Sequence, residues 1–476
     1  YMKRSVIKWS LLLLFALTIA KVNANGWTHK VDTSNGKQIN HIFSAQDGGF
    51  WAIGFQYDIQ GSTSLCQQNS YNCYRSGGLL QKYDTNGNTT FEKTYFSTNI
   101  TEKLRFVNLI DCKDGSGLLI VYELVQWKYI NLQFSGWQWA WDESRAQTIY
   151  AKVSYNGDVI NANINGASLG FLGLGTSSSE FMYEQNSILD FDSDMSFVSN
   201  TINGDSAKYD FSLRMIRTNY NAIKQLDTTV RVAITIPIDS DYGFYRSNRF
   251  SRLANGNYVT FTYTHHNDDF TSNLATKIPA YFIVFNPNTN TIVAKKLPFN
   301  IMNIYDEMLD CYADSTNIYF LANVSKRDSI GYKYTSSIIL LKTNYNGDSI
   351  GKTSILKPGN YSGTYLYRKD LAFRKVGNIL QIIFTPTSES RSSHGIYYIK
   401  PNLSYTFQKK HVRNIENSYS CFNHEHILLK DNSIISSLYY GNTHALEKLE
   451  EIPTESKISG TIFGDKNNNC TTENSD

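Results

Sequence analysis

GGLLQKYDTNGNTTFEKTYF, residues 77–96, is an apolar run, an Asn-Gly turn and a second alternating run. Period-two alternation on both sides of a turn dipeptide reads as a β-hairpin. The same shape returns at AQTIYAKVSYNGDVINANI (146–164), IPAYFIVFNPNTNTIVAKKL (278–297) and SSIILLKTNYNGDSIGKTSIL (336–356). Its turns fall near Asn86, Asn156, Asn221, Asn288, Asn346 and Asn402, spaced 56 to 70 residues apart. A fixed period of this kind marks a repeat architecture. Upstream of each turn lies a second hairpin, such as FSAQDGGFWAIGFQY (43–57) or LDCYADSTNIYFLA (309–322), so each unit supplies four strands. Tight turns need φ > 0, which Gly and Asn tolerate.

Four short antiparallel strands cannot bury both faces alone; sheets packed radially around an axis can. The expectation is an all-β propeller of seven four-stranded blades, with six or eight as the alternative counts. Six units are complete. The seventh has HILLKDNSIISSLYY (426–440) and THALEKLEE (443–451) and lacks an outer strand. WTHKVD (27–32) resembles a fourth strand, and pairing it there removes two open sheet edges. The propeller should then span 26–453.

The composition agrees. Aromatics make up 14% and there are 8 prolines, a balance that favours strands. Lys3, Arg4 and Lys8, a 12-residue apolar run from Trp9 to Ala20, and Val22-Asn23-Ala24 form a signal-peptide pattern over 1–24. A bilayer span needs about 20 apolar residues, so this run is too short. An exported chain without a transmembrane segment is expected. Without Lys3, Arg4, Lys8 and Lys21, the 45 basic residues fall to 41 against 42 acidic, a net charge of −1. That balance excludes a nucleic-acid partner, which requires a concentrated basic face.

In an oxidising compartment, Cys66 and Cys73 of CQQNSYNC are the expected disulfide. Cys112 and Cys311 precede turns at equivalent places in different repeats and are expected unpaired.

The long connections gather at one end: 58–76, 127–145, 165–183, 230–248 and 265–277. Insertions on one face of a repeat protein mark its binding face. QWKYINLQFSGWQWAWDES carries Trp137, Trp139 and Trp141, which share a face if extended. Exposed aromatic faces stack on sugars or apolar side chains. A buried plug beneath the loop is the structural alternative. His265, His266 and Asp268 in THHNDDF form a polar cluster counted with the three tryptophans as candidate ligand-binding residues, with a solvated loop tip as the structural alternative. GASLG around Ser168 has the letters of a nucleophile elbow without its strand–turn–helix context. No catalytic set emerges.

The repeat pattern GGhhhKhDxxGxxxxxKxY resembles propeller repeats of exported Bacteroidota-type bacterial proteins. ISGTIFGDKNNNCTTENSD, from Ile458, is similar to the opening of Cna-B or B-repeat sandwich modules, which follow type IX secretion propellers. The resemblance implies a surface protein and a truncated sandwich module over 454–476. Asp465, Asn467, Asn469 and Glu473 carry oxygen ligands at calcium-loop spacing, so calcium is the one cofactor considered. The functional expectation is a secreted or cell-surface, monomeric, non-catalytic propeller that binds glycan or protein through its long-loop face. The alternative is a propeller glycosidase or polysaccharide lyase whose carboxylates converge at the ring mouth, with Asp142, Glu143, Asp239, Asp241, Asp268 and Asp269 as the acids to inspect.

Overall fold

The structure is a computed structural model. It describes residues 28–31, 36–58, 74–132, 136–142, 147–164, 187–189, 194–205, 208–232, 242–246, 251–266, 278–301, 307–327, 334–355, 371–376, 378–384, 393–411, 421–431, 433–440 and 443–449. Residues Gly26–Leu449 form one compact unit. Every regular element among the described residues is a β-strand, and all pairings are between antiparallel neighbours. Among them, no helix is long and apolar enough to cross a membrane.

Sheet 1 is an up-and-down meander of Gln38–Ser44, Phe50–Asp58, Arg75–Tyr83 and Thr89–Tyr95. Sheets 3, 5 and 6 repeat that order, starting at Ser187, Glu307 and Leu371. Sheet 7 runs Cys421–Leu428, Ile434–Tyr440 and Thr443–Leu449, and Thr28–Lys30 completes it as the outer strand. There Thr28 lies opposite Glu447, His29 opposite Leu446 and Lys30 opposite Ala445. The Val31 N–H donates to the His444 carbonyl at 2.8 Å.

The expected set of seven uniform four-stranded blades is corrected: five sheets are four-stranded and two are not. In sheet 2, the second strand, Leu118–Leu132, outruns its partners and pairs with a fifth strand, Gly136–Trp141. In sheet 4, the edge strand comes in two pieces, Tyr242–Arg246 and Ser251–Arg252, both paired with Tyr258–His266. The ribbon has the turn dipeptide Ser135-Gly136 between its arms, whereas the split edge strand has none.

The first strands of sheets 1 and 2, 4 and 5, 5 and 6, and 6 and 7 approach one another, sheets 3 and 4 meet through their last strands, and the last sheet packs on the first, which makes the arrangement a propeller. Strand Asn317–Arg327 shows why its sequence is almost continuously apolar. Ile318, Phe320 and Ala322 face sheet 4, while Tyr319 and Leu321 face sheet 6. Both faces are buried, so alternation becomes a full apolar run. Each fully buried side chain of this size contributes about 1.5–3 kcal/mol. The ring closes the same way: Ile39, Ile42, Phe50 and Tyr83 of sheet 1 pack with Leu429, Ile435 and Leu446 of sheet 7.

The recurrent turns place a single left-handed residue at one position. The Gly87 N–H donates to the Asp84 carbonyl at 3.1 Å with φ 82°, and Gly157 and Gly347 repeat this at 79° and 83°. Ala222 and Leu403 occupy the same position at 61° and 65°, strained for residues with a Cβ. The preceding Asn carries no positive φ at these turns. Its neighbour Asp84 instead accepts the N–H groups of Asn86 and Asn88 at 2.9 and 2.8 Å.

A further regularity was not visible in the sequence. The first strands of sheets 1, 2, 5 and 7 each carry a bulge, at Ile39/His41, Phe106/Asn108, Met308/Asp310 and Asn423/Glu425. All four sit at the same remove from the following turn. A bulge leaves one residue outside the ladder. Beside two of them, Asn108 and Asp310 accept the next residue's N–H at 2.8 Å.

Candidate ligand-binding site

The ribbon on sheet 2 is the feature that departs most from the repeat. Up to Gln126, strand Leu118–Leu132 is held by its neighbours in the sheet. Beyond that point it continues as one arm of a two-stranded ribbon, with Trp127 opposite Trp141, Tyr129 opposite Trp139, and Asn131 opposite Trp137. Two bonds anchor its root: Trp127 N–H to Thr101 C=O at 2.7 Å, and Asp142 N–H to Gln126 C=O at 2.8 Å. A buried ion pair, Arg105 with Glu123, lies three residues further in than Gln126, with Arg105 Nε at 3.1 Å from Glu123 Oε2.

Residues two apart on a strand share a face, so these pairs stack into an aromatic ladder. Trp127 and Trp141 meet edge-to-face at 5.1 Å and 67°. Tyr129 and Trp139 are tilted at 5.9 Å and 55°. The Lys103 ammonium lies 5.3 Å from the centre of the Trp141 ring, within cation–π range. Exposure rises along the ladder. Trp127 and Trp141 are half-buried, whereas Tyr129 is 54% and Trp139 61% exposed.

An aromatic side chain offers roughly 150–250 Å² for burial, at about 25 cal/mol per Å². Leaving more than half of Trp139 in water therefore forgoes roughly 2–3 kcal/mol that a ligand could recover. The ladder is held by cross-strand packing, so its rings are ordered before anything binds.

The expected face-sharing of Trp139 and Trp141 is present, and the two lie in one strand with Trp137. Tyr129 and Lys103 were missed by sequence reasoning. Tyr129 was legible as the second member of the Trp127-x-Tyr129 alternation. Lys103 was not, because it comes from the neighbouring strand Glu102–Asp111.

His265 and His266 are corrected from a loop tip to the end of strand Tyr258–His266, opposite Gly243 and Tyr242. They belong to sheet 4, not to the ribbon. Asp268 lies outside the described residues. So do Cys66, Cys73, Ser168, Asp465, Asn467, Asn469 and Glu473, and most of the long connections. Of the acids inspected for an enzyme, Asp142 is described and is buried at the ribbon's root. Among the described residues, no group of three or more His, Cys, Asp or Glu could hold a metal ion. Cys112 and Cys311 are both buried and without a disulfide.

No family model matches the chain, and no curated protein matches it. Among solved structures, it is similar to the polysaccharide lyase Uly1, with a TM-score of 0.49 and 10% identity over 86% of this chain and 89% of that one. It is also similar to a PL25 ulvanlyase, with a TM-score of 0.45 and 8% identity over 88% and 95%. An apocarotenoid oxygenase from Synechocystis follows, with a TM-score of 0.37 and 10% identity over 90% and 94%. Identities and TM-scores this low say nothing of what this chain binds or does.

Proposed function

We propose that this chain is an exported propeller that binds a glycan through the ribbon of sheet 2, with Tyr129 and Trp139 stacking on sugar rings. One observation carries the reading: two ordered aromatic side chains remain more than half exposed on an insertion the repeat does not require. A protein partner would need roughly 800 Å² from each side. Two rings on a narrow ribbon offer far less, but they match the flat C–H face of one or two sugars. Lys103, over Trp141, adds a cation at the ladder's inner end.

In this reading, the five-stranded sheets 2 and 4 serve as blades alongside the other five, so the ring has seven. The module works without catalysis in adhesion or capture at a bacterial surface. Residues 1–24 direct its export, type IX secretion in a Bacteroidota-type host is the route, and calcium orders the oxygen-rich segment at 465–476.

A glycan array probed with the purified chain tests the binding. Trp139→Ala and Tyr129→Ala should each weaken the best hit at least tenfold with an unchanged melting temperature. Equal binding by both variants would remove the ribbon from the function.

A further inference from the structure

The third strand of several sheets carries a lysine at one repeat position, and its partners differ from sheet to sheet. In sheet 1, Lys82 lies 4.9 Å from the ring of its cross-strand partner Trp51 and pairs with Asp47 of the first turn. In sheet 7, Lys448 pairs with Asp431 of the equivalent turn at 3.0 Å. In sheet 5, Lys342 lies 5.8 Å from the ring of its cross-strand partner Tyr319. Sheet 2 offers neither arrangement. The cross-strand partner of Lys152 is Leu119, and Asp114 of the turn, which accepts from Ser116 as Asp431 does from Ser433, acts on Lys152 through its charge without a direct contact.

Lys152 turns inward instead. Its ammonium donates to Cys112 Sγ at 3.3 Å and to the Ser116 hydroxyl. Lys152 is 2% exposed and Cys112 is fully buried. Among the described residues, no carboxylate lies within ion-pairing distance of Lys152. A buried lysine held against a buried thiol, where its sister lysines have aromatic or carboxylate partners, is a specific juxtaposition. The thiol immediately precedes the exposed turn 113–116 in the chain.

We infer that Cys112 and Lys152 form an oxidation-dependent covalent cross-link, with a hydroperoxide as the oxidant. The sulfur attacks the peroxide, the O–O bond breaks, and water leaves a sulfenic acid on Cys112. The deprotonated Lys152 amine then attacks that sulfur. The S–O bond breaks, a second water departs and an S–N bond remains. Sulfur is oxidised by two electrons and the peroxide is reduced by two. The net change is one peroxide consumed, two waters formed and two hydrogens lost from the protein. Burial pushes the Cys112 thiol up, against the opposing pull of the Lys152 charge. Since the sulfur attacks the peroxide as the thiolate, the sulfenic acid should form faster as the pH rises. Joining the first turn to the third strand, it staples sheet 2 where the lysine–aspartate pair staples sheets 1 and 7.

Cys311 is the internal control. It occupies the same place in sheet 5, but its Sγ–H points to the Val259 carbonyl at 3.9 Å and Lys342 is engaged by Tyr319. Treatment of the intact folded chain with hydrogen peroxide, followed by peptide mapping, should yield one Cys112–Lys152 linked peptide. That peptide should be two hydrogens lighter than the sum of its parts and restored by dithiothreitol. It should be absent from Lys152→Met and from Lys152→Arg, the latter keeping the charge but lacking a primary amine. Cys112 found unmodified, or carried only to sulfinic acid while Lys152 stays free, overturns the inference. So does a Cys311–Lys342 link formed as readily.

Discussion

Trp51 and Trp139 lie in neighbouring sheets and meet opposite fates. Trp51 is 1% exposed. Its indole N–H donates to Asp111 Oδ2 at 3.1 Å, Tyr155 stacks on it at 6.3 Å and 11°, and Phe91 meets it edge-on at 6.1 Å. Asp111, from sheet 2, also accepts the Gln46 N–H at 2.9 Å and the Tyr155 hydroxyl at 2.6 Å. Burial, and then the Asp111 carboxylate beside it, push the Tyr155 phenol far up, so it stays protonated and donates. Trp139 has Tyr129 as its ring neighbour and water over most of its surface. The first tryptophan is saturated because two sheets of the repeat converge on it. The second sits on an insertion and stays 61% exposed. Unsatisfied aromatic surface, not aromatic content, is where a binding role is to be sought.

The largest expected effect is on the saturated side. Trp51→Ala should cost about 3–5 kcal/mol in urea unfolding, because a fully packed indole is lost. Trp139→Ala should stay within about 0.5 kcal/mol of the parent. Similar losses for the two would abolish the distinction. Next comes Asp111→Ala, which orphans three donors converging from two sheets and should cost about 2–4 kcal/mol. A loss no larger than that of an exposed aspartate would mean that the junction is not tied there.

Ligand affinity should divide the two tryptophans the other way. Trp139→Phe, which keeps a ring, should retain most of the glycan affinity that Trp139→Ala loses, a difference of about 1–2 kcal/mol by calorimetry. The smallest effect concerns a turn. The Ser116 hydroxyl holds the Asp114 carboxyl below its ordinary 3.8, with burial acting against it. A depressed native pKa means that Asp114 contributes stability above that ordinary value, lost as the pH falls through the native one. Ser116→Ala should move the carboxyl up in an NMR titration and flatten the acid limb of stability against pH. An unmoved carboxyl would count against that hydroxyl as the cause.

The turns at Gly87, Gly157 and Gly347 were legible because a hairpin closes over a few consecutive residues, and its left-handed position selects glycine. The pairing of Thr28–Lys30 with Thr443–Leu449 was legible as a missing strand at one end matched by a spare one at the other. The shared bulges, the split edge strand of sheet 4 and the strand that holds His265 and His266 were not. Each depends on which residue of a partner strand lies opposite, and a one-residue change of register alters it. Tyr129 fell between these cases: its alternation was in the sequence, its exposure was not.

Chain order alone therefore determined an all-β repeat with short glycine turns, a closing strand from the other end, and an aromatic-rich insertion. These follow from backbone sterics and period-two patterning, which act between near neighbours. The tertiary structure decided which tryptophan is covered, which lysine meets a thiol instead of a carboxylate, and which two rings face water. Those outcomes turn on residues brought together from different strands and sheets, and burial is a property of that meeting rather than of the residue.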